Sequence, residues 1–182
     1  MVGLIPGDER LTEIEVRLAA DQRDYDAARN LCREWLDWHW KHYPADWSRG
    51  ADHPMDPTSF MAVLRDLPEL HRRPDGGILV AWLNGAPVGC VMYRMASPNV
   101  AEFNRMFVSE TGRGKGIGVA LLNHLFKQLV ADGYESVFFS SATFLTHARA
   151  MYENAGFVPM SHPQGFPEQW RDKVYFMERS LA

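Results

Sequence analysis

Val100-Ala101-Glu102-Phe103-Asn104-Arg105-Met106-Phe107-Val108 leads through three residues into Gly112-Arg113-Gly114-Lys115-Gly116-Ile117-Gly118, and the chain continues Val119-Ala120-Leu121-Leu122-Asn123-His124-Leu125-Phe126-Lys127-Gln128-Leu129. The first block, extended to Ser109, reads as a strand. The last reads as a helix with Val119, Leu122, Phe126 and Leu129 on one face, and Gly133 is suited to ending it in a left-handed turn. A glycine loop between strand and helix is built for anions. Glycines adopt positive φ and let the backbone approach a ligand, so successive N–H groups can converge on one phosphate. The helix adds its unpaired first-turn donors and the positive end of its dipole.

Two familiar phosphate-binding templates fail on this loop. A P-loop needs Ser or Thr after its lysine to hold magnesium, and Lys115 is followed by Gly116. A G-x-G-x-x-G dinucleotide fingerprint ends on Ile117, Val119 or Leu121, according to which glycine starts it. What is left is R-x-x-G-x-G at Arg113, Gly116 and Gly118, with Gly114 as an extra glycine and Lys115 as a second cation. Such a cradle suits a diphosphate attached to an adenine nucleotide, without metal. A flexible turn with solvated cations is the competing reading of the loop alone.

Working outward, Leu11 to Ala19 alternates like a strand, with Thr12, Ile14, Val16 and Leu18 on one face. Asp21 or Asp24 can cap a helix over Tyr25 to Tyr43, ended by Pro44, with Ala28, Leu31, Cys32, Trp35, Trp38 and His42 at helical spacing. Between Pro54 and Pro74, residues Phe60 to Leu67 read as one short helix. Ile78 to Leu83 and Val88 to Met95 flank Asn84-Gly85, a hairpin signal. Ser136 to Ser141 and Val174 to Met177 read as strands, and Leu145 to Ala155 as a helix. Strands alternating with helices imply an α/β layer with the glycine loop at a strand-to-helix junction.

Composition narrows the function. One domain over residues 1–182 fits the length, and 46% hydrophobic with 23% charged residues is ordinary for a globular protein. Nineteen basic and twenty-three acidic residues leave a formal charge of -4, which disfavours nucleic acid as a partner but permits a local phosphate site. Cys32 and Cys90 make neither a disulfide framework nor a metal spacing. With no apolar run near 20 residues and Pro6-Gly7-Asp8-Glu9 interrupting the start, a membrane is not expected and a cytoplasmic location is. His39 and His42 lie on one helix without a third ligand, so no metal is expected. Trp35, Trp38, Trp40 and Trp47 are open to three readings: core, the interface of a homodimer, or a ligand pocket.

Taken together, the loop, the strand before it and a downstream block resemble the GNAT superfamily of N-acetyltransferases. Arg113 to Gly118 matches its [QR]-x-x-G-x-[GA] signature, Ala101 to Val108 resembles the strand lining the cofactor slot, and Ala148 to Phe157 resembles the A-x-x-x-Y-x-x-x-G-F motif. Leu145 stands where many members carry an asparagine that touches the cofactor. The resemblance covers about Ile78 to the C-terminus. It implies a single-domain α/β fold: a twisted, mostly antiparallel mixed sheet flanked by helices, with a splayed central strand pair.

The resemblance also implies chemistry. Acetyl-CoA would be the donor, its diphosphate held by Arg113, Gly114, Lys115, Gly116, Ile117 and Gly118. Its pantetheine arm would pair with backbone around Phe107 and Val108. Tyr152 would be the general acid beside the sulfur, since a phenol near pKa 10 can protonate a thiolate without ionising at neutral pH; packing against Ala148 is the plainer alternative. Glu102 is the candidate base, directly or through water, against an exposed glutamate paired with Arg105. The expected acceptor is a primary amine of a small molecule, amino acid or peptide. A protein lysine or N-terminus, or a non-catalytic acyl-CoA sensor, is the alternative.

Overall fold

Gly76 to Trp82 is an unbroken buried run, the mark of a strand covered on both faces. Ile78, Val80 and Trp82 turn to one side, Leu79 and Ala81 to the other. The computed structural model describes residues 13–49, 53 and 56–182. Among these, the elements in chain order are β1 (Ile14–Leu18), α1 (Gln22–His42), α2 (Pro57–Arg65), α3 (Leu67–Leu70), β2 (Gly76–Leu83), β3 (Ala86–Ser97), β4 (Val100–Val108), α4 (Ile117–Ala131), β5 (Ser136–Ala142), α5 (Thr146–Asn154), β6 (Val158–Met160) and β7 (Val174–Ser180). The expected start of β1 at Leu11 lies outside the described residues.

The strands form one seven-stranded sheet of order β1-β2-β3-β4-β5-β7-β6. Every neighbouring pair is antiparallel except β4 and β5, which run parallel. Helices α1 to α3 cover one face, where Ala28, Leu31, Phe60 and Leu64 meet Val80, Cys90 and Met92. Helices α4 and α5 cover the other, where Leu121, Leu125 and Tyr152 meet Val91, Phe103 and Phe139. Each such fully buried aliphatic side chain contributes about 1.5–3 kcal/mol.

Local sequence explains most boundaries. Asp21, not Asp24, caps α1 by accepting from the N–H of Asp24; Asp24 is buried and takes bonds from Arg17 and from the Ala20 N–H. The single helix expected over Phe60 to Leu67 is in fact two. Pro57 opens α2 behind the Asp56 cap, and Asp66 ends it. Pro68 has no N–H to continue the ladder and so sits in the first turn of a new helix. Asn84 and Gly85, at φ 50° and 79°, form the tight β2–β3 turn that their sequence specified.

One amphipathic reading was rotated. On α4 the buried stripe is Ile117, Leu121, Leu122, Leu125 and Leu129, whereas Val119 is 56% exposed. The two stripes share Leu122 and Leu129, and a helix this apolar offers both. Strand β6 was not anticipated: it is three residues long, contains Pro159 and lies at the sheet edge, where a missing N–H costs no ladder bond.

Candidate active site

Strands β4 and β5 pair through three residues alone, Val100 with Ser136, Ala101 with Val137 and Glu102 with Phe138. Beyond Glu102 the two strands diverge, which opens the sheet. Two cavities meet at this opening. One, of about 520 Å³, is lined by Met106, Phe107, Val108, the glycine loop and the α5 face bearing Ala148, Met151 and Tyr152. The other, of about 350 Å³, lies against Glu102, Asn104 and Arg105. Trp35 and Leu145 line both.

The glycine loop is the mouth of the larger cavity. Gly114 and Gly116 take φ 72° and 76°, and Gly116 caps α4 from the left-handed region. Neither Gly114 nor Gly116 has another group within 4 Å of where a Cβ would stand, so conformation rather than crowding selects glycine there. Gly118 differs, because a Cβ would come 2.8 Å from the Met151 sulfur. None of Gly114, Lys115 and Gly116 donates its backbone N–H to a described acceptor, and the first turn of α4 adds its own unpaired donors. The Lys115 ammonium folds onto the Thr111 carbonyl at 2.6 Å, and the Arg113 guanidinium lies 5.4 Å from the Trp38 ring. Free N–H groups, two cations and a helix N-terminus in one concave loop fit a diphosphate.

Tyr152 stands deeper in the same cleft. Its ring packs on Phe139 at 4.3 Å and on Phe103 at 5.8 Å, and the residue is 6% exposed. Burial, reinforced by Tyr175, raises its phenol above the usual range, so the hydroxyl keeps its proton. Phe107 is buried in the core opposite Cys90, and Val108 pairs with Gly89; both side chains also line the cleft. Packing and cleft lining therefore coexist at Tyr152, Phe107 and Val108.

The smaller cavity is walled by aromatic rings: Trp35, Tyr43, Trp47, Phe60 and Trp170. This places Trp35 and Trp47 on a ligand-sized space, Trp38 on the other cleft, and Trp40 in the cluster around Tyr43 and His53. Glu102 faces this cavity. Its ion-pair partner is Arg94, directly across the β3–β4 ladder, rather than Arg105. Both Arg94 bonds, at 2.9 and 3.1 Å, end on Oε2 of Glu102. His39 is 4% exposed with neither ring nitrogen bonded, and burial, then His53, brings its pKa down to about 4. His42 is exposed and stacks on Trp38 at 4.2 Å. No group of three or more His, Cys, Asp or Glu among the described residues could hold a metal ion.

Several residues of this cavity escaped sequence reasoning. Arg94 carries no motif, Trp170 comes from a loop remote in sequence, and Arg105 entered only as a partner for Glu102. Asn104 and Arg105 had one local signal, their position two and three residues beyond Glu102 on a strand already assigned to the cleft. No helix among the described residues is long and apolar enough to cross a membrane.

The comparisons agree with this architecture. Comparison with curated proteins gives no significant match. Among solved structures, a GNAT-family acetyltransferase from Staphylococcus aureus Mu50 superposes with TM-score 0.72 at 17% identity, covering 93% of this chain and 100% of that one. The PaiA N-acetyltransferase of Thermoplasma acidophilum, crystallised with coenzyme A, gives 0.65 at 18% identity over 92% and 99%. The ribosomal-protein-S18-alanine N-acetyltransferase of Escherichia coli gives 0.63 at 16% identity over 93% and 95%. At such identities these likenesses speak for the fold alone. The family itself is shown by sequence: residues 32–157 match the family described as Acetyltransferase (GNAT) family, and the chain belongs to the GNAT acetyltransferases, a family of acyltransferase enzymes that use acetyl-CoA.

Proposed function

We propose that the protein transfers the acetyl group of acetyl-CoA directly to a primary amine of a small molecule, amino acid or peptide. The observation that carries this reading is the meeting of the two cavities at the β4–β5 split. One has a phosphate cradle at its mouth, the other a carboxylate in an aromatic chamber, and they share Trp35 and Leu145. A thioester held in the first would supply an activated acetyl carbonyl to an amine held in the second.

Each protein group then has a task. The N–H groups from Gly114 to Gly118 hold the diphosphate, with the Arg113 and Lys115 side chains adding charge; the Arg113 N–H is taken by the Glu110 carbonyl. Backbone at Phe107 and Val108, at the β4 end beyond the split, aligns the pantetheine arm as an added strand would be aligned, and a backbone N–H there polarises the thioester carbonyl. Glu102 receives the ammonium proton, directly or through one water; its Oε1 takes no part in the Arg94 pair. Tyr152 donates its hydroxyl proton toward the departing sulfur. Since its pKa is raised above that of a thiol, it acts as a hydrogen-bond donor to the charge developing on sulfur, and a proton that it passes on is replaced from water so that the phenol is not left ionised.

A cavity of about 350 Å³ is at the small end of ligand pockets, which favours a compact acceptor over a protein surface. The test is thiol release from acetyl-CoA across amino acids, peptides, polyamines and aminoglycosides. Acetylation of at least one class with release of one thiol per product is expected. Tight acetyl-CoA binding with no transfer to any amine would instead identify a non-catalytic acyl-CoA sensor.

A further inference from the structure

The chamber beyond the split holds a positive charge that the protein does not neutralise. Along the β3–β4 ladder the pairing steps from Cys90 with Phe107 to Met92 with Asn104, so Arg105 and Met106 together face Val91. This is a β-bulge, and Arg105 takes φ 49° within it. In a regular strand Arg105 would turn away from Asn104, toward the α4 face. The bulge keeps it on the side of Glu102 and Asn104, where it lines the aromatic cavity. Left-handed backbone at a non-glycine residue costs about 1–2 kcal/mol, so the placement of this guanidinium is maintained against strain.

Its partners are all neutral. Nη1 donates to Oδ1 of Asn104 at 2.9 Å and approaches Nε2 of His71 at 3.5 Å. Nδ1 of His71 is 3.0 Å from the Tyr93 carbonyl, which can only accept; the His71 proton is therefore on Nδ1, and Nε2 is left to accept from Arg105. Burial brings the His71 pKa down to about 4, which keeps the ring neutral in this role. Nε of Arg105 is buried without an acceptor, and Nη2 donates to no described residue. Glu102, the carboxylate of this wall, is committed to Arg94. Arg94 and Glu102 cancel, and Arg105 leaves the chamber with one net positive charge among aromatic walls.

A half-buried guanidinium whose neighbouring carboxylate, Glu102, is already paired with Arg94 is costly unless a ligand supplies a further counter-charge. We propose that Arg105 anchors the acceptor, and that the acceptor is a small amine bearing one carboxylate on an apolar body, as in an aromatic or aliphatic amino acid. This rests on reading the chamber as the acceptor site of an acetyltransferase. The planar guanidinium suits a carboxylate, the rings of Trp35, Tyr43 and Trp170 suit an apolar side chain, and the volume suits an amino acid. Polyamines and aminoglycosides would bring further cations against Arg94 and Arg105, with no unpaired carboxylate but the Oε1 edge of Glu102 to receive them.

The test compares free amino acids, their carboxamides and spermidine as acceptors for the full-length protein at saturating acetyl-CoA. Rates are expressed per unprotonated amine, and acetyl-CoA binding is measured by calorimetry alongside. Apolar amino acids should exceed their carboxamides by about tenfold or more in kcat/KM, the range of a charge-assisted hydrogen bond. Arg105→Gln should erase that preference by raising KM for the carboxylate, while KM for acetyl-CoA stays unchanged. The wild-type comparison stands whether or not the variant folds. Equal rates for carboxylates and carboxamides, or spermidine as the better acceptor, would overturn the anchor and leave the acetyltransferase reading intact. Absence of acetyl-CoA binding would overturn both.

Discussion

Replacing Tyr152 by Phe removes one oxygen from a site whose packing is otherwise unchanged, which makes it a clean probe of the proton-donor role. The ring contacts with Phe139, Phe103 and Phe157 do not involve the hydroxyl. The hydroxyl bonds to no described residue, so its removal orphans no partner, and stability should change by less than about 1 kcal/mol. Affinity for acetyl-CoA should change little, because the diphosphate cradle and the β4 end lie elsewhere in the cleft. The loss should fall on the transition state, where charge builds on sulfur. General acid catalysis is worth about 10²–10⁴-fold, or roughly 2.7–5.4 kcal/mol at 1.36 kcal/mol per tenfold. The assay is single-turnover acetyl transfer, with calorimetry for acetyl-CoA and thermal denaturation as controls. Near-normal single-turnover rates in the folded variant would refute the donor role and leave Tyr152 as packing.

Three further outcomes follow from the geometry. Gly116→Val puts a β-branched residue at φ 76°, and either the strain or the collapse of the loop should weaken acetyl-CoA binding about tenfold or more in calorimetry; unchanged affinity would remove the loop from the site. Glu102→Gln should depress turnover most at the acidic end of the pH profile, where more of the acceptor amine must lose a proton, and a uniform loss across pH would argue for a positioning role instead. Burial first, then His53, holds the folded pKa of His39 at about 4 against 6.5 when free, so the unfolded chain binds the extra proton between those values. Stability associated with His39 is thus complete above pH 6.5 and lost as pH falls toward 4, by roughly 3 kcal/mol. His39→Leu should flatten that acid limb in denaturant titrations, and an unchanged limb would show that His39 is not its source.

The parts of the fold that were legible in sequence are those governed by local chemistry. Asn84-Gly85 specified its turn, Pro44 and Gly133 marked helix ends, and the alternating glycines at 114 and 116 take the positive φ that their residue type allows. The cleft that brings the loop, β4 and Tyr152 together was equally legible, since they lie in short blocks of sequence. The aromatic chamber was not. It is assembled from α1, β3, β4, β5 and the loop carrying Trp170, and the signal for any one of these is indistinguishable from core packing. The pairing of Glu102 with Arg94 rather than Arg105 depends on ladder register, and Arg105 is diverted by a bulge whose sequence, Asn104-Arg105-Met106, contains no glycine to betray it. The α4 stripe was misread by part of a turn because an apolar helix has more than one plausible face.

The central claim is that the glycine loop and the β4–β5 split form one acetyl-CoA site leading into the aromatic chamber. A crystal structure of the protein with coenzyme A tests it most directly. The diphosphate is expected on the N–H groups between Arg113 and Gly118, the pantetheine arm along Phe107 and Val108, and the sulfur within hydrogen-bond reach of the Tyr152 hydroxyl. A diphosphate bound away from the loop, or a sulfur on the far side of β4 from Tyr152, would contradict it.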